Sequence, residues 1–298
     1  MSFSPDLVGD VQEMLRYPFM VHAFEAGALI ALVAGFVGYL VVLRRSAFAA
    51  HALAHTGFAG GAGAVLFGVN PVFGLLLFTG ASGTGMALLG RRASERDMEI
   101  GTVLAFMLGL GLLFINLYRG GVATATYSLL FGEILGISAD AVVFTFEAFV
   151  VVVALAAVVY RPLLFSALDE DVAEAKGMPI LGLNLVFLLL VAVAVSMAVQ
   201  VVGVLLIFAL MVTPAAIAVR VSKVPTHAIA IAVGVAVGAT WLGLFVAWYL
   251  PYPVSFFITT FGFALYLLVR GTQSIARRLA VRGARADVAA PRPGTEPG

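Results

Sequence analysis

The sequence contains no cysteine and few charged residues. Without cysteine, the chain forms no disulfide bond and offers no thiolate ligand to a metal. Only 11% of its 298 residues are Asp, Glu, Lys or Arg, whereas a soluble domain carries about 25%. Acidic and basic residues nearly cancel, 16 against 17, so the net charge predicts no nucleic-acid partner.

Long apolar runs occupy most of the chain instead. Hydrophobic residues make up 62% of it, and the mean hydropathy is +1.09. A spanning helix needs about 20 mostly apolar residues, because the hydrocarbon core of a bilayer is about 30 Å thick. The sequence therefore predicts an all-α, polytopic transmembrane helical bundle of about 8–9 spans in contact with membrane lipid. The apolar runs are 26–43, 47–67, 72–89, 100–117, 141–160, 180–199, 201–219, 228–250 and 254–269.

The sixth and seventh runs almost touch, and residues 200–218 predict a broken helix. Gln200, Gly203, Thr213 and Pro214 interrupt the apolar pattern there. Non-helical backbone at membrane depth persists only where it is buried in protein or lines a cavity. This pattern favours a pathway-lining role for the region.

Basic residues divide the connectors into two sets. Those after the second, fourth and eighth runs carry only Arg119 between them, whereas the other set is rich in arginine. The positive-inside rule puts the basic set in the cytoplasm, with the N-terminus outside and the C-terminus inside. The basic set is Arg44, Arg45, Arg91, Arg92, Arg96, Arg161, Arg220, Lys223 and the arginines from Arg270 onward.

Three segments follow from these patterns. Residues 1–22 predict an amphipathic helix lying in the membrane interface, the alternative being a disordered tail. Residues 23–270 form the predicted transmembrane domain. Residues 271–298 predict a cytoplasmic, largely disordered tail, because they are rich in Ala, Pro, Arg and Gly.

Two of the four histidines, His51 and His55, lie near the start of the second run. A separation of four residues puts both side chains on one face of a helix. This spacing allows two imidazoles to bind one divalent metal, and imidazole suits zinc as well as copper, iron and nickel. Two ligands are too few, so others must come from water, another helix or a second copy. Alternatively, the pair caps or hydrogen-bonds helix neighbours.

Few other polar residues fall within the runs. The pathway candidates are Glu147, Gln200 and Thr213, because polar groups inside a membrane are costly and often functional. Glu147 either lines the path or pairs across helices. Glu133, in the outer connector 123–138, either attracts a cation or is a solvated carboxylate. That connector is too short to span and predicts a small helix on the outer side.

The predicted cytoplasmic connector 168–177 is strongly polar. Its acidic residues come first, a lysine comes near the end, and a glycine follows, which is the order of a short capped helix. Such a helix is suited to docking a partner, the alternative being a solvated loop without one. The candidate docking residues are Asp169, Glu170, Asp171, Glu174, Lys176 and Gly177.

The chain offers no catalytic constellation. Its sequence contains no nucleophile elbow, no Walker A pattern and no HExxH motif. An intramembrane metalloprotease needs a glutamate beside its histidines, but Ala52, Leu53 and Ala54 stand between His51 and His55. We therefore expect no enzymatic activity of the chain itself.

Five stretches together resemble the membrane permeases of bacterial ABC-type importers for zinc and manganese. Each is loose alone, but their order and spacing are specific, and the match covers nearly all of residues 15–270. The stretches are YPFM at 17–20, VLRRSAFAAHALAHTGFAGGAGA at 42–64, LLFGEILGIS at 129–138, LDEDVAEAKGMP at 168–179 and VGVLLIFALMVTPAAIA at 202–218.

The resemblance implies a homodimeric permease in the bacterial inner membrane. Two ATPase subunits would dock at 168–177 and use ATP, and a solute-binding protein would deliver the metal. No cofactor would be bound permanently. The family's transit pair is carried over to His51 and His55, and His51 stands where the family usually has an acidic residue. Two imidazoles favour zinc over manganese, which prefers oxygen ligands, and they make binding acid-sensitive.

Other functions predict different features. An ion-coupled secondary transporter needs buried acidic residues, for which Glu147 is the strong mid-span candidate, and inverted repeats, which the sequence does not contain. A permease of the same class for manganese, iron or a metal chelate keeps the architecture, but a chelate leaves His51 and His55 without an evident use. Divalent zinc import is the function that the sequence favours.

Overall fold

Helices form almost all of the regular structure in the computed structural model of the chain, which describes residues 7–89, 93–118 and 129–289. Strands are absent from these ranges. A 3-10 turn at Ile134–Gly136 precedes α6. In chain order the helices are α1 (Leu7–Met14), α2 (Pro18–Leu43), α3 (Ala47–Leu66), α4 (Pro71–Leu89), α5 (Ala93–Leu117), α6 (Ala139–Leu168), α7 (Glu170–Ala175), α8 (Ile180–Val221), α9 (Pro225–Tyr249) and α10 (Val254–Ala289).

Seven of these helices are long and apolar enough to cross a bilayer, namely α2, α4, α5, α6, α8, α9 and α10. Helix α3 has 20 residues, but its histidines and glycines lower its hydropathy. Helix α8 has 42 residues, about 63 Å if straight, which is twice the hydrocarbon thickness. With α3 included and α8 counted as two parts, the described residues contain nine helical segments that correspond to the nine apolar runs. The predicted polytopic helical bundle is confirmed.

Helix α8 doubles back within the bundle. Near its start, Asn184 accepts a hydrogen bond from Arg44 at the end of α2, and further along, the Met211 carbonyl lies against Gly38. Asn184 and Met211 would be about 40 Å apart in a straight helix, whereas Gly38 and Arg44 are about 9 Å apart along α2. Both contacts can form only if α8 reverses direction between Asn184 and Met211.

The reversal occurs at Gly203, which has φ 79° and ψ 164° inside an otherwise helical segment. The backbone of Gly132, with φ 73°, crosses it so closely that a Cβ on either glycine would overlap the other segment. A side chain at Gly203 would meet the Leu130 carbonyl. The broken helix predicted for 200–218 is confirmed, and Gly203 rather than Thr213 or Pro214 is the break.

Helix α2 begins earlier than the apolar pattern predicts. It starts at Pro18, where Tyr17 is extended and proline occupies the first helical position, an arrangement that suits a helix start. His22 interrupts the apolar pattern, but its Nδ1 lies 3.2 Å from the Ile137 carbonyl oxygen. This contact accommodates a polar residue near the helix start. Within the predicted N-terminal segment 1–22, the separate helix α1 covers only Leu7–Met14.

The described part of the tail differs from the sequence prediction. Helix α10 continues through Ala289, so the described part of the tail 271–298 is helical, in keeping with the high helix propensity of its Ala and Arg residues. In the outer connector 123–138, residues 123–128 lie outside the described residues. In the remainder, residues 129–131 are α-helical and Ile134–Gly136 form the 3-10 turn.

Helix α8 lies at the centre of the bundle and packs on α2, α3, α4, α6, α9 and α10. One polar contact inside this packing joins α4 to α8, because the hydroxyls of Thr79 and Ser196 lie 2.7 Å apart. Both residues are buried. Helices α5 and α6 lie at the periphery and bury a small part of their surface. The first part of α8 and the end of α2 meet on the side assigned to the cytoplasm.

Candidate metal-transit site and docking helix

Helix α3 positions the two histidines near its N-terminal end, which the positive-inside rule puts toward the cytoplasm. It begins at Ala47, so His55 lies about 12 Å along the helix axis from that end. The ring centroids of His51 and His55 are 4.6 Å apart, and the rings meet edge to face at 81°. The pair is therefore close enough for both imidazoles to contact one ion.

Two ring nitrogen atoms of the pair lack a hydrogen-bond partner among the described residues. The Nδ1 atoms of His51 and His55 are buried, and neither has a hydrogen-bond partner among the described residues. A buried polar atom without a partner costs free energy, so such atoms call for a ligand or water. Both side chains are half-buried as a whole. Two unpaired imidazole nitrogens are donors of the kind that zinc uses.

Phe208, on the second part of α8, covers one side of the pair. Its ring centroid lies 4.7 Å from that of His51, with the planes at 65°. An aromatic edge-to-face contact restricts how the imidazole turns. This contact depends on the reversal at Gly203, because only a folded-back α8 brings Phe208 next to α3. The sequence gives no signal for it, since Phe208 is one of 23 phenylalanines.

A complete coordination sphere is not formed by the part of the chain that the structure describes. Within it, no group of three or more His, Cys, Asp or Glu side chains is close enough to hold a metal ion. Two histidines are too few for a closed site, and the sequence left water, another helix or a second copy as sources of the other ligands. An incomplete site suits transit, because an ion must also be released.

The three pathway candidates lie apart from one another. Glu147 is exposed on the outer surface of α6, a helix that packs on α2 and α8. Gln200 is half-buried, three residues before the break in α8. Thr213 faces Gly262 of α10 and borders a small cavity between α8, α9 and α10. Within one chain they do not join His51 and His55 in a single cluster.

The acidic connector forms a short helix, α7, with both ends capped. The Asp169 carboxylate accepts a hydrogen bond from the Val172 backbone N–H at 3.0 Å, which is an N-cap. At the other end Gly177 has φ 79°, and backbone bonds run from Met178 to Ala173 and from Gly177 to Glu174. These two bonds are the Schellman pattern. The predicted helical order of this segment is confirmed.

The surface of α7 is largely exposed. Only Ala173 faces inward and is buried, and the Lys176 ammonium lies 4.8 Å from the Phe165 ring centroid. Leu168 and Val172 are exposed large hydrophobic residues. The exposed acidic residues around them are Asp169, Glu170, Asp171 and Glu174. Apolar side chains surrounded by charged ones are typical of a protein docking surface.

Sequence reasoning assigned Arg44 only to membrane orientation, but its side chain joins three helices. It donates hydrogen bonds to Ser166 of α6 and to Asn184 of α8. Asn184 had a detectable signal, because it is an amide inside a long apolar run. Its partner, 140 residues away, could not be identified without the fold.

Comparisons with known proteins agree on the class of protein. The model of the ABC 3 transport family matches residues 16–272. A probable metal transport system membrane protein of Treponema pallidum is 30% identical over 267 residues, which cover 89% of this chain and 99% of that protein. The manganese transport system membrane protein MntC of Listeria monocytogenes is 27% identical over 209 residues, covering 70% and 74%.

A solved structure has a closely similar fold. The structure of PsaBC from Streptococcus pneumoniae in complex with Fab superposes with a TM-score of 0.79 and 24% sequence identity. The superposition covers 88% of this chain and 95% of that one. The likeness therefore extends over most of the chain.

Proposed function

Since this chain belongs to the ABC 3 transport family and is a multi-pass inner-membrane permease of an ABC-type metal transporter, we propose that it imports a divalent cation, zinc in particular. The ion passes His51 and His55 on α3. The observation that carries this proposal is the pair of unpaired, buried imidazole nitrogens on adjacent turns.

The choice of metal follows from ligand chemistry. Imidazole nitrogen binds zinc well, whereas manganese prefers carboxylate, carbonyl and water oxygen. The site provides two nitrogens and no carboxylate close to them among the described residues. Manganese is the second candidate, because MntC of Listeria monocytogenes carries manganese in its name. The proposal for zinc therefore rests on His51 and His55 being a nitrogen pair.

The missing ligands come from a second copy of the chain. Closed two-fold symmetry is the commonest arrangement of homo-oligomers, and it brings the same side chains of both copies to one axis. Two pairs of histidines around that axis supply four imidazoles, enough for a tetrahedral zinc ion. Since the pair is incomplete in one chain, a dimeric site explains how half-buried imidazoles function without further ligands nearby.

Energy comes from a partner ATPase that docks on α7, and the permease itself hydrolyses nothing. The exposed apolar residues Leu168 and Val172 form the centre of the docking surface, and the surrounding acidic residues form its rim. A metal-loaded solute-binding protein delivers the ion from the other side. ATP binding and hydrolysis then move α7, and the bundle opens alternately outward and inward.

The test is metal uptake by proteoliposomes that contain the permease, its ATPase and its binding protein. We expect ATP-dependent accumulation of zinc, with manganese accumulated more slowly at equal free concentration. Removal of ATP or of the ATPase should abolish uptake. Uptake without ATP that responds to an ion gradient would instead support a secondary transporter, and preferential manganese uptake would overturn the choice of metal.

A further inference from the structure

The turn between α2 and α3 contains Arg44, whose backbone caps α2 and whose side chain binds two other helices. Arg44 caps α2, since its N–H donates to the Leu40 carbonyl. Arg45 follows with φ 54°, and the Ser46 hydroxyl donates to the Arg44 carbonyl at 3.1 Å. Helix α3 begins at the next residue, Ala47. The backbone of Arg44 is therefore three residues from the helix that carries the histidine pair.

The side chain of Arg44 reaches the cytoplasmic ends of two other helices. One Nη donates to the Ser166 hydroxyl at 2.8 Å and lies 3.5 Å from the Leu163 carbonyl oxygen, both in the last turns of α6. The other Nη donates to Asn184 Oδ1 in the first turns of α8. The guanidinium also lies 4.9 Å from the Phe187 ring centroid. One planar group thus fixes α2, α6 and α8 to one another.

This contact lies next to the docking helix. Ser166 is three residues before Asp169, and Asp169 ends α6 and caps α7 at the same time. A displacement of α7 therefore acts first on the last turn of α6, where Arg44 is bound. A cation is favoured at this place, because it lies beside carbonyl groups in the C-terminal turns of α6.

We propose that Arg44 is the positioning residue that transmits movement of α7 to the α2–α3 turn and so to His51 and His55. This inference rests on the proposed function and adds the coupling route to it. Arginine is suited to the role, since its rigid planar fork binds two partners at once and lysine offers a single point charge. Helices α2 and α8 also pack together elsewhere, closely at Gly38 and Met211, so the bundle does not depend on Arg44 alone.

The experiment measures zinc uptake and ATP hydrolysis together in proteoliposomes of the full transporter. We expect Arg44→Ala to assemble and hydrolyse ATP, while the number of ions moved per ATP falls by about tenfold, within the range of coupling reported along such contact networks. Arg44→Lys should restore part of that ratio. Arg45→Ala is the matched control, because Arg45 is an exposed arginine in the same turn, and its ratio should equal that of the wild type.

An unchanged ratio of ions to ATP in Arg44→Ala would overturn the inference. If that variant fails to assemble, Ser166→Ala and Asn184→Ala each remove one of the two anchors and should each lower the ratio. Failure of all three to assemble would show a purely structural role and would equally overturn it. A wild-type transporter that moves no divalent cation would contradict the proposed function instead, so the two failures are distinguishable.

Discussion

The centre and the periphery of this bundle are built by different rules. In the most apolar stretch of α8, at the centre, 72% of residues are buried, whereas the corresponding fraction for α6, at the periphery, is 17%. Helix α8 is broken at Gly203 and contacts seven other helices. Helix α6 runs unbroken and ends next to the exposed helix α7.

The two regions differ in whether their local structure is held by residues distant in the sequence or by residues close to it. At the centre, His51 is held next to Phe208 only because α8 folds back. At the periphery, α7 is formed by its own residues, Asp169 at one end and Gly177 at the other. Substitutions at the centre should therefore have large effects on the whole molecule, and those at the periphery small and local effects.

The largest effect is expected for Gly203→Leu. A side chain there would overlap the backbone near Leu130, and a positive φ disfavours any residue with a Cβ. We expect a loss of more than about 3 kcal/mol in stability, the range of severe core substitutions, seen as a collapse in the yield of monodisperse protein in detergent. Gly238→Ala, in helix α9 with open space around it, should leave the yield unchanged. Normal yield and melting temperature for Gly203→Leu would show that the break is not required.

Replacement of both histidines, His51→Ala with His55→Ala, should abolish zinc uptake while the permease still assembles with its ATPase. The physical reason is that alanine has no lone pair for the ion, whereas the docking helix is unaffected. Uptake in proteoliposomes and co-elution with the ATPase are the two measurements. His227→Ala is the control, because His227 is exposed at the start of α9. Undiminished uptake by the double variant would mean that the ion takes another path.

A smaller effect is expected for Asp169→Ala, which removes the N-cap of α7. Loss of such a cap costs about 1 kcal/mol, which corresponds to about fivefold weaker binding if the helix must be formed to dock. Titration of the purified ATPase onto permease in nanodiscs measures this change. Asp169→Asn keeps the cap and removes the charge, so it should bind nearly as well as the wild type. Equal weakening by both variants would instead assign the effect to charge.

The smallest effect is expected for Glu147→Gln. The side chain is exposed on the outer surface of α6 and is not grouped with the histidine pair within one chain. We expect zinc uptake to stay within about twofold of wild type, as for surface substitutions away from a site. A severe loss of uptake with normal assembly would place Glu147 on the ion path in the assembled dimer.

Much of the fold was predictable, because membrane spans and helix caps leave local signatures in sequence. The nine apolar runs correspond to nine segments, and Asp169 and Gly177 occupy the cap positions that their chemistry predicts. The start of α2 was not predicted because His22 and Glu25 interrupt the apolar pattern. In the structure the His22 ring lies within hydrogen-bond distance of the Ile137 carbonyl, and Glu25 is exposed.

The contacts that organise the site were not predictable from one sequence. Arg44 meets residues 122 and 140 positions away, and no local pattern encodes such a pairing. The contact of Phe208 with His51 depends on the reversal of α8. The sequence around Gly203 predicts a break in the helix, but it does not predict the angle between the two parts. The spacing of His51 and His55 was visible in the sequence, whereas the residues that surround the pair are known only from the tertiary structure.

The central claim is that a nitrogen pair on α3 selects and carries the ion. The most direct measurement is the ratio of zinc to manganese uptake, at equal free metal, in wild type and in His51→Asp. Because a carboxylate oxygen replaces one imidazole nitrogen, we predict that the ratio shifts toward manganese while the dependence on ATP is unchanged. An identical ratio in both proteins, with uptake intact, would contradict the claim that His51 and His55 contact the transported metal.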